Sequence, residues 1–240
     1  DMQMPVEECG NALLRVYAIC HFKKDNAYGV NHLPLLRQWA DYLVQMGLDP
    51  ENQLCTDDFA GHLAHNCNLS AKAVMGIAAF GKLLERLGDA EESTRYLQIA
   101  REYACKWEEM ADDGDHYGLT FDGKDTWSIK YNLVWDKIFN WGIFPDKIFE
   151  REIAYYKTKV NPYGLPLDSR SDYTKSDWQL WSTRLADDWE YTEKIINTMW
   201  DMLNESPSRV PFTDWYYTSD GVQRCFQNRT VQGGLFIQLL

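Results

Sequence analysis

Positive charge is in short supply in this 240-residue sequence: 24 Lys and Arg stand against 36 Asp and Glu, a formal net charge of −12. Nucleic acid and anionic membrane both require a basic footprint, so neither is expected as a partner. Long apolar runs are missing as well. The longest stretch, Ala73 to Gly81, falls far short of a bilayer span. The six cysteines (Cys9, Cys20, Cys55, Cys67, Cys105, Cys225) contain no C-x-x-C pair, which excludes a zinc knuckle or thioredoxin-type motif. Their wide spacing fits buried thiols at least as well as a disulfide framework. No repeat recurs at a fixed period, which weighs against an α-solenoid. No signal peptide opens the chain, and its start at Asp1 makes a processed or truncated product the expectation.

The remaining composition, 45% hydrophobic and 25% charged, excludes a disordered chain and supports one large domain over residues 1–240. The chain has fourteen Tyr and ten Phe beside ten Trp, and ten Trp is more than packing alone usually calls for. Trp suits a core but also suits stacking on sugars.

Periodicity is helical nearly throughout, and strand-like alternation is scarce. Helices are expected over about Pro5 to Lys23, Leu33 to Met46, Leu69 to Leu87, Asp89 to Met110 and Ser128 to Phe139. A sixth starts at Pro145, a seventh opens with the capping-box pair Ser176 and Gln179, and an eighth covers about Tyr191 to Leu203. A ninth falls within Val222 to Leu240. Connections alternate in length. They are short around Asp89, Gly142 and Asp188 and long at Gly47 to Asn68, Asp112 to Trp127, Val160 to Lys175 and Pro207 to Gly221, with an intermediate first loop. The fourth helix carries one apolar stripe (Leu97, Ala100, Ala104, Trp107, Ala111), and the eighth another (Ile195, Ile196, Met199, Leu203). The third is apolar almost all round. Outer helices alternating with inner ones in hairpins describe an all-α fold, an α/α toroid of helical hairpins. Nine helices instead of twelve make it incomplete.

Polar residues collect where the long loops reach the inner helices, a setting suited to oxygen-rich ligands. Asp57, Asp58, His62 and His65 have metal-like spacing but no further ligands nearby, so no metal and no cofactor is expected. Capping aspartates and histidines bonded across loops are the preferred reading. Asp112, Asp113, Asp115 and His116 miss the EF-hand spacing and read as a solvated turn. Ser128 and Lys130, two apart on a helix, would not meet, so that run reads as cap and pocket lining. Glu7 with Asp57 or Asp168 could supply a general acid and base, although acidic residues at helix starts are as often dipole partners.

These same residues carry a resemblance. The strings at residues 1–11 (DMQMPVEECGN), 54–70 (LCTDDFAGHLAHNCNLS), 113–117 (DGDHY), 126–137 (TWSIKYNLVWDK), 163–170 (YGLPLDSR), 173–178 (YTKSDW) and 214–216 (DWY) are similar to the helical domain of the glutaminase A family. Cys67 departs from the pattern, where a small residue such as alanine is expected. The resemblance implies a six-hairpin, glycosidase-like toroid, a preceding non-helical region of the same protein as partner, and a secreted or periplasmic location. It also implies hydrolysis of glutamine to glutamate and ammonia.

Motif membership and geometry then nominate Glu7, Asp57, Asp58 and Asp168 as catalytic candidates. His62, His65, Asn66, Lys130, Asn132, Trp135, Arg170, Lys175, Asp177, Trp178, Asp214 and Trp215 are the candidates for binding a small-molecule substrate, an amino acid or a sugar. Arg170, Lys130 or Lys175 would hold the α-carboxylate of glutamine. The alternative is a glycoside hydrolase, with a carboxylate pair flanking the glycosidic bond and Trp127, Trp135, Trp178 or Trp215 under the sugar. A non-enzymatic helical module bound to its own N-terminal region is a third possibility.

Overall fold

Pro5 takes the first turn of helix α1 (Pro5–Lys23), where its missing N–H is no loss. A computed structural model describes residues 3–208 and 210–240, and the side chain of Asp58 lies outside the described residues. The other helices are α2 (Ala27–Met46), α3 (Cys67–Leu87), α4 (Ala90–Ala111), α5 (Val134–Phe139), α6 (Asp146–Lys157), α7 (Ser176–Ser182) and α8 (Trp189–Glu205). A 3-10 segment, Thr230–Leu239, ends the chain, and shorter 3-10 turns lie at Asp58–Ala60 and Tyr131–Leu133. One antiparallel ribbon joins β1 (Tyr173–Lys175) to β2 (Trp215–Tyr217), with Tyr173 opposite Tyr217 and Lys175 opposite Trp215.

The loops alternate more cleanly than the sequence implied. The first connection is only residues 24–26, as short as those after α3, α5 and α7. Caps explain several boundaries. Asp89 accepts the Glu92 amide at the start of α4, and Asp188 does the same for Tyr191 at the start of α8. Gly88 ends α3 at φ 85°, a left-handed conformation that a Cβ disfavours.

Four expectations need correction. Helix α2 starts at Ala27 instead of Leu33, and Pro34 lies inside it. The fifth helix loses its first half: Ile129 donates to the Leu167 carbonyl and Ser128 bridges to Asp168, so the backbone stays extended until the 3-10 turn. On α8, Ile196 is 41% exposed and Met202 takes its expected place inside. The ninth helix is 3-10, and its glycines Gly233 and Gly234 favour no regular α-helix.

The chain forms two compact units. One holds residues 1–112, 120–123 and 141–144; the other holds residues 113–119, 124–140 and 145–240. In the first, α3 packs against α1, α2 and α4. By length and composition α3 could cross a membrane, yet 94% of its apolar window is buried, as befits a core helix. Phe80 meets Tyr96 edge-on at 4.8 Å, and the Trp107 indole donates to the Cys67 carbonyl at 2.7 Å. In the second unit α7 packs against α8, β1 and the terminal 3-10 segment. All six cysteines are free thiols; Cys20, Cys55 and Cys67 are buried.

Phe80 anchors the first core. Phe80→Ala is expected to lower stability by about 3–5 kcal/mol in urea denaturation, whereas Phe22→Ala on the surface stays within about 0.5 kcal/mol.

Candidate active site

In the first unit a buried carboxylate sits in the opening turn of α1. Glu7 Oε1 accepts the Lys72 ammonium at 2.7 Å, the Asn11 amide at 3.0 Å and the Thr56 hydroxyl. Lys72 also reaches Asn11 Oδ1 at 2.7 Å. Burial pushes the Glu7 carboxyl up, but the Lys72 charge and these hydrogen bonds outweigh it and hold Glu7 below the usual range. Thr56 thereby ties the long loop to α1, and Asp57 beside it is buried. Asn66 caps α3, accepting from the Asn68 and Leu69 amides at 2.9 and 3.0 Å. His65, at φ 58°, pairs with Asp49 at 2.7 Å, and that bond raises its pKa. His62 is exposed. Asp58 cannot be placed in this set, its side chain being outside the described residues.

Several expected members in the second unit are engaged by neighbours. Asp168 is gripped by its own turn: the Arg170 amide donates at 2.8 Å, Nε at 3.0 Å and Nη2 at 2.6 Å. Lys130 is fully buried. Its ammonium donates to the Tyr117 and Ser128 carbonyls at 3.0 and 2.9 Å and stands 3.6 Å from Glu152. That removes Lys130 from ligand contact. It meets the Ser128 backbone, not the serine hydroxyl, because the segment is extended instead of helical. Glu152 also accepts the Tyr156 hydroxyl, and burial lifts the Tyr156 pKa well above its ordinary value. His116 is buried, not solvated: it stacks on Tyr155 at 4.0 Å and contacts Asp115 Oδ1 at 2.7 Å. Trp178 stacks on Tyr131 at 4.4 Å, Trp135 meets Trp181 edge-on at 5.3 Å, and Asn132 is buried.

A further cluster of buried charged groups lies where the ribbon meets α7. Asp214 accepts Lys175 at 2.9 Å and Arg229 at 3.2 Å, both through Oδ2. Its Oδ1 is buried without a hydrogen-bond partner, and so is Oδ1 of Asp177. Burial, with the Asp214 charge adding to it, pushes the Asp177 carboxyl up to about 6. Burial likewise lowers the Lys175 ammonium against the pull of Asp214. The terminal 3-10 segment seals this corner. A Cβ on Gly234 would stand 2.8 Å from Asp177 Cβ and 2.9 Å from the Trp181 indole nitrogen, so only glycine fits there. Ser176 forms no capping box. Its hydroxyl has no partner, while Gln179 accepts the Leu165 amide at 3.1 Å and donates to the Tyr216 hydroxyl.

The family model for the glutaminase A six helical-hairpin domain matches residues 1–239. The chain belongs to that family. Its hairpin architecture is accordingly the α/α toroid. Two relatives of this glutaminase A domain agree. Glutaminase A of Aspergillus oryzae is 34% identical over 247 aligned positions, covering 100% of this chain and 36% of that protein. A protein of Arthroderma benhamiae named "Probable glutaminase" is 32% identical over 215 positions, covering 78% of this chain and 25% of its own length. The chain thus spans about a third of one relative and a quarter of the other.

Three charged residues of these clusters escaped the sequence reading: Lys72, Glu152 and Arg229. Lys72 had a legible signal, a lone charge inside the most apolar helix. Arg229 had none, since it meets Asp214 across a loop.

The raised Asp177 pKa has a thermodynamic consequence. A carboxyl whose folded pKa exceeds its unfolded value stabilises the fold relative to its ionised form below about 4, and that contribution is lost as pH rises through about 6. Asp177→Asn should therefore match the parent near pH 4 and exceed its stability at pH 7.5 by up to about 3 kcal/mol, read as a pH-dependent gain in denaturation midpoint. Equal pH profiles for the two proteins would refute the assignment.

Proposed function

We propose that the protein hydrolyses the side-chain amide of glutamine, releasing glutamate and ammonia, at the Asp177–Asp214–Lys175 cluster. The observation carrying this reading is a buried carboxyl with a pKa near 6 and an unpartnered oxygen, coupled to a second carboxylate that also keeps an oxygen unpartnered. Family membership and the relative named glutaminase A support the substrate. Protonated Asp177 serves as general acid and Asp214 as general base. A water oxygen bonds to the amide carbon and yields its proton to Asp214 Oδ1. The carbon–nitrogen bond breaks as Asp177 gives its proton to the departing nitrogen. Transfer of the Asp214 proton to Asp177 restores the starting state. Lys175 and Arg229 hold Asp214 in place through Oδ2 and leave Oδ1 for the water. Glu7 and Asp168, whose carboxylates are already engaged, hold their loops in place instead of reacting. Export, and cooperation with the remainder of a longer protein, belong to the same proposal and rest on the family alone.

A second reading has one observation of its own. The carboxyl pair shares its unit with stacked Tyr131 and Trp178 and with half-buried Trp135, the furniture of a sugar site. Substrates separate the two readings. The intact protein should release ammonia from L-glutamine and leave aryl glycosides intact, with kcat/KM falling as pH rises beyond about 6. Asp177→Asn should lower kcat by at least about 100-fold. Turnover of an aryl glycoside without ammonia release would replace the first reading by the second.

A further inference from the structure

Within the second unit, cations other than Arg224 that adjoin the ribbon already have an acid: Lys175 and Arg229 share Asp214, and Arg170 holds Asp168. Arg224 does not. Its backbone amide donates to the Trp215 carbonyl at 2.8 Å, which fixes it beside β2. Its guanidinium carbon stands 4.7 Å from the Tyr173 ring centre, 5.0 Å from Trp215 and 5.6 Å from Tyr217. Its one side-chain hydrogen bond goes to the Tyr217 hydroxyl, and its Nε is buried without an acceptor. Among the described residues no carboxylate stands within ion-pair distance of it. Three rings thus hold a planar cation half-buried with donor capacity left over, which is the geometry for bidentate capture of a carboxylate.

We propose that Arg224 binds the α-carboxylate of an amino-acid substrate and so selects for a free carboxylate; this rests on the glutamine reading above. The Trp215 indole links the box to the reactive cluster. Lys175 Nζ lies 4.7 Å from the Trp215 ring centre and Arg224 Cζ 5.0 Å from it, which bounds the separation of the two cations at about 10 Å. Glutamine spans about 5 Å from carboxylate carbon to amide carbon, and with one hydrogen-bond length at each end it is of the order of that bound. The role passes to Arg224 from the three cations the sequence nominated. Lys130 is buried against carbonyls, Arg170 is committed to Asp168, and Lys175 to Asp214. Arg224 is a specificity residue and takes no part in bond breaking.

Ammonia release is compared for L-glutamine and L-glutamine α-methyl ester in the parent, Arg224→Gln and Arg224→Lys, alongside calorimetric binding of L-glutamate. For Arg224→Gln, KM for glutamine is expected to rise about 10- to 100-fold with kcat within threefold, while turnover of the ester stays within twofold. Arg224→Lys, which keeps the charge over the rings, should recover part of the KM. Parallel losses on both substrates, or an unchanged glutamine KM, would overturn the assignment. Glutamate binding separates the two proposals. A parent that binds glutamate through Arg224 without releasing ammonia sinks the hydrolysis reading and leaves the carboxylate box standing; a parent in which neither occurs sinks both.

Discussion

Asp214 is a buried carboxylate held from one side by Lys175 and Arg229, and the chemistry proposed for the second unit depends on that triad. Moving a carboxylate out of water costs several kcal/mol, and attraction to two cations offsets it only while both stay in place. The triad therefore fixes three stretches of chain at once: the end of β1, the start of β2 and the approach to the terminal 3-10 segment. The Ser176 amide adds a bond to the Asp214 carbonyl at 2.8 Å, joining α7 to the same residue. Burial first, and the neighbouring Asp214 charge after it, keep a second carboxyl in the first turn of α7 from ionising at its ordinary pH. Asp177 is that group, and Gly234 admits the backbone that shields it.

The two units treat buried acids in opposite ways. Glu7 collects donors from Lys72, Asn11 and Thr56, and its pKa falls. Asp177 has an oxygen with no donor, and its pKa rises. A satisfied carboxylate secures a helix start to a loop. An unsatisfied one is a proton donor maintained at a cost to stability, a recurring mark of catalytic groups. Asp168, clamped by Arg170, shares this engagement of its oxygens with Glu7. Glu152, beside Lys130 and Tyr156, does as well.

Much of the fold was legible because it is local. Caps at Asp89 and Asp188, the glycine stop at Gly88 and the stripe on α4 each depend on residues within a turn or two. Alternating loop lengths then disclosed the hairpins. Reading failed where distant strands intervened. Ser128 to Lys130 has the pattern of a helix, but pairing with Leu167 and Asp168, some forty residues on, keeps it extended. Ser176 and Gln179 have capping-box spacing, yet Gln179 is drawn to Leu165 and Tyr216. The candidate site was legible as a set of motifs: Lys175, Asp177, Asp214 and Trp215 were all nominated. Their division into acid, base and counter-ion was not, because it turns on burial and on Arg229. Sequence spacing also gives no hint that three aromatic rings surround Arg224.

The central claim is that Asp177 retains its proton near neutrality because the fold buries it beside a charged Asp214. Carbon-detected NMR of the aspartate carboxyls, with Asp177→Asn used to assign the resonance, measures this directly. A carboxyl titrating at about 6, and shifting downward in Asp214→Asn, is the predicted result. Titration of Asp177 near 4 in the parent, with no response to Asp214→Asn, would contradict the account.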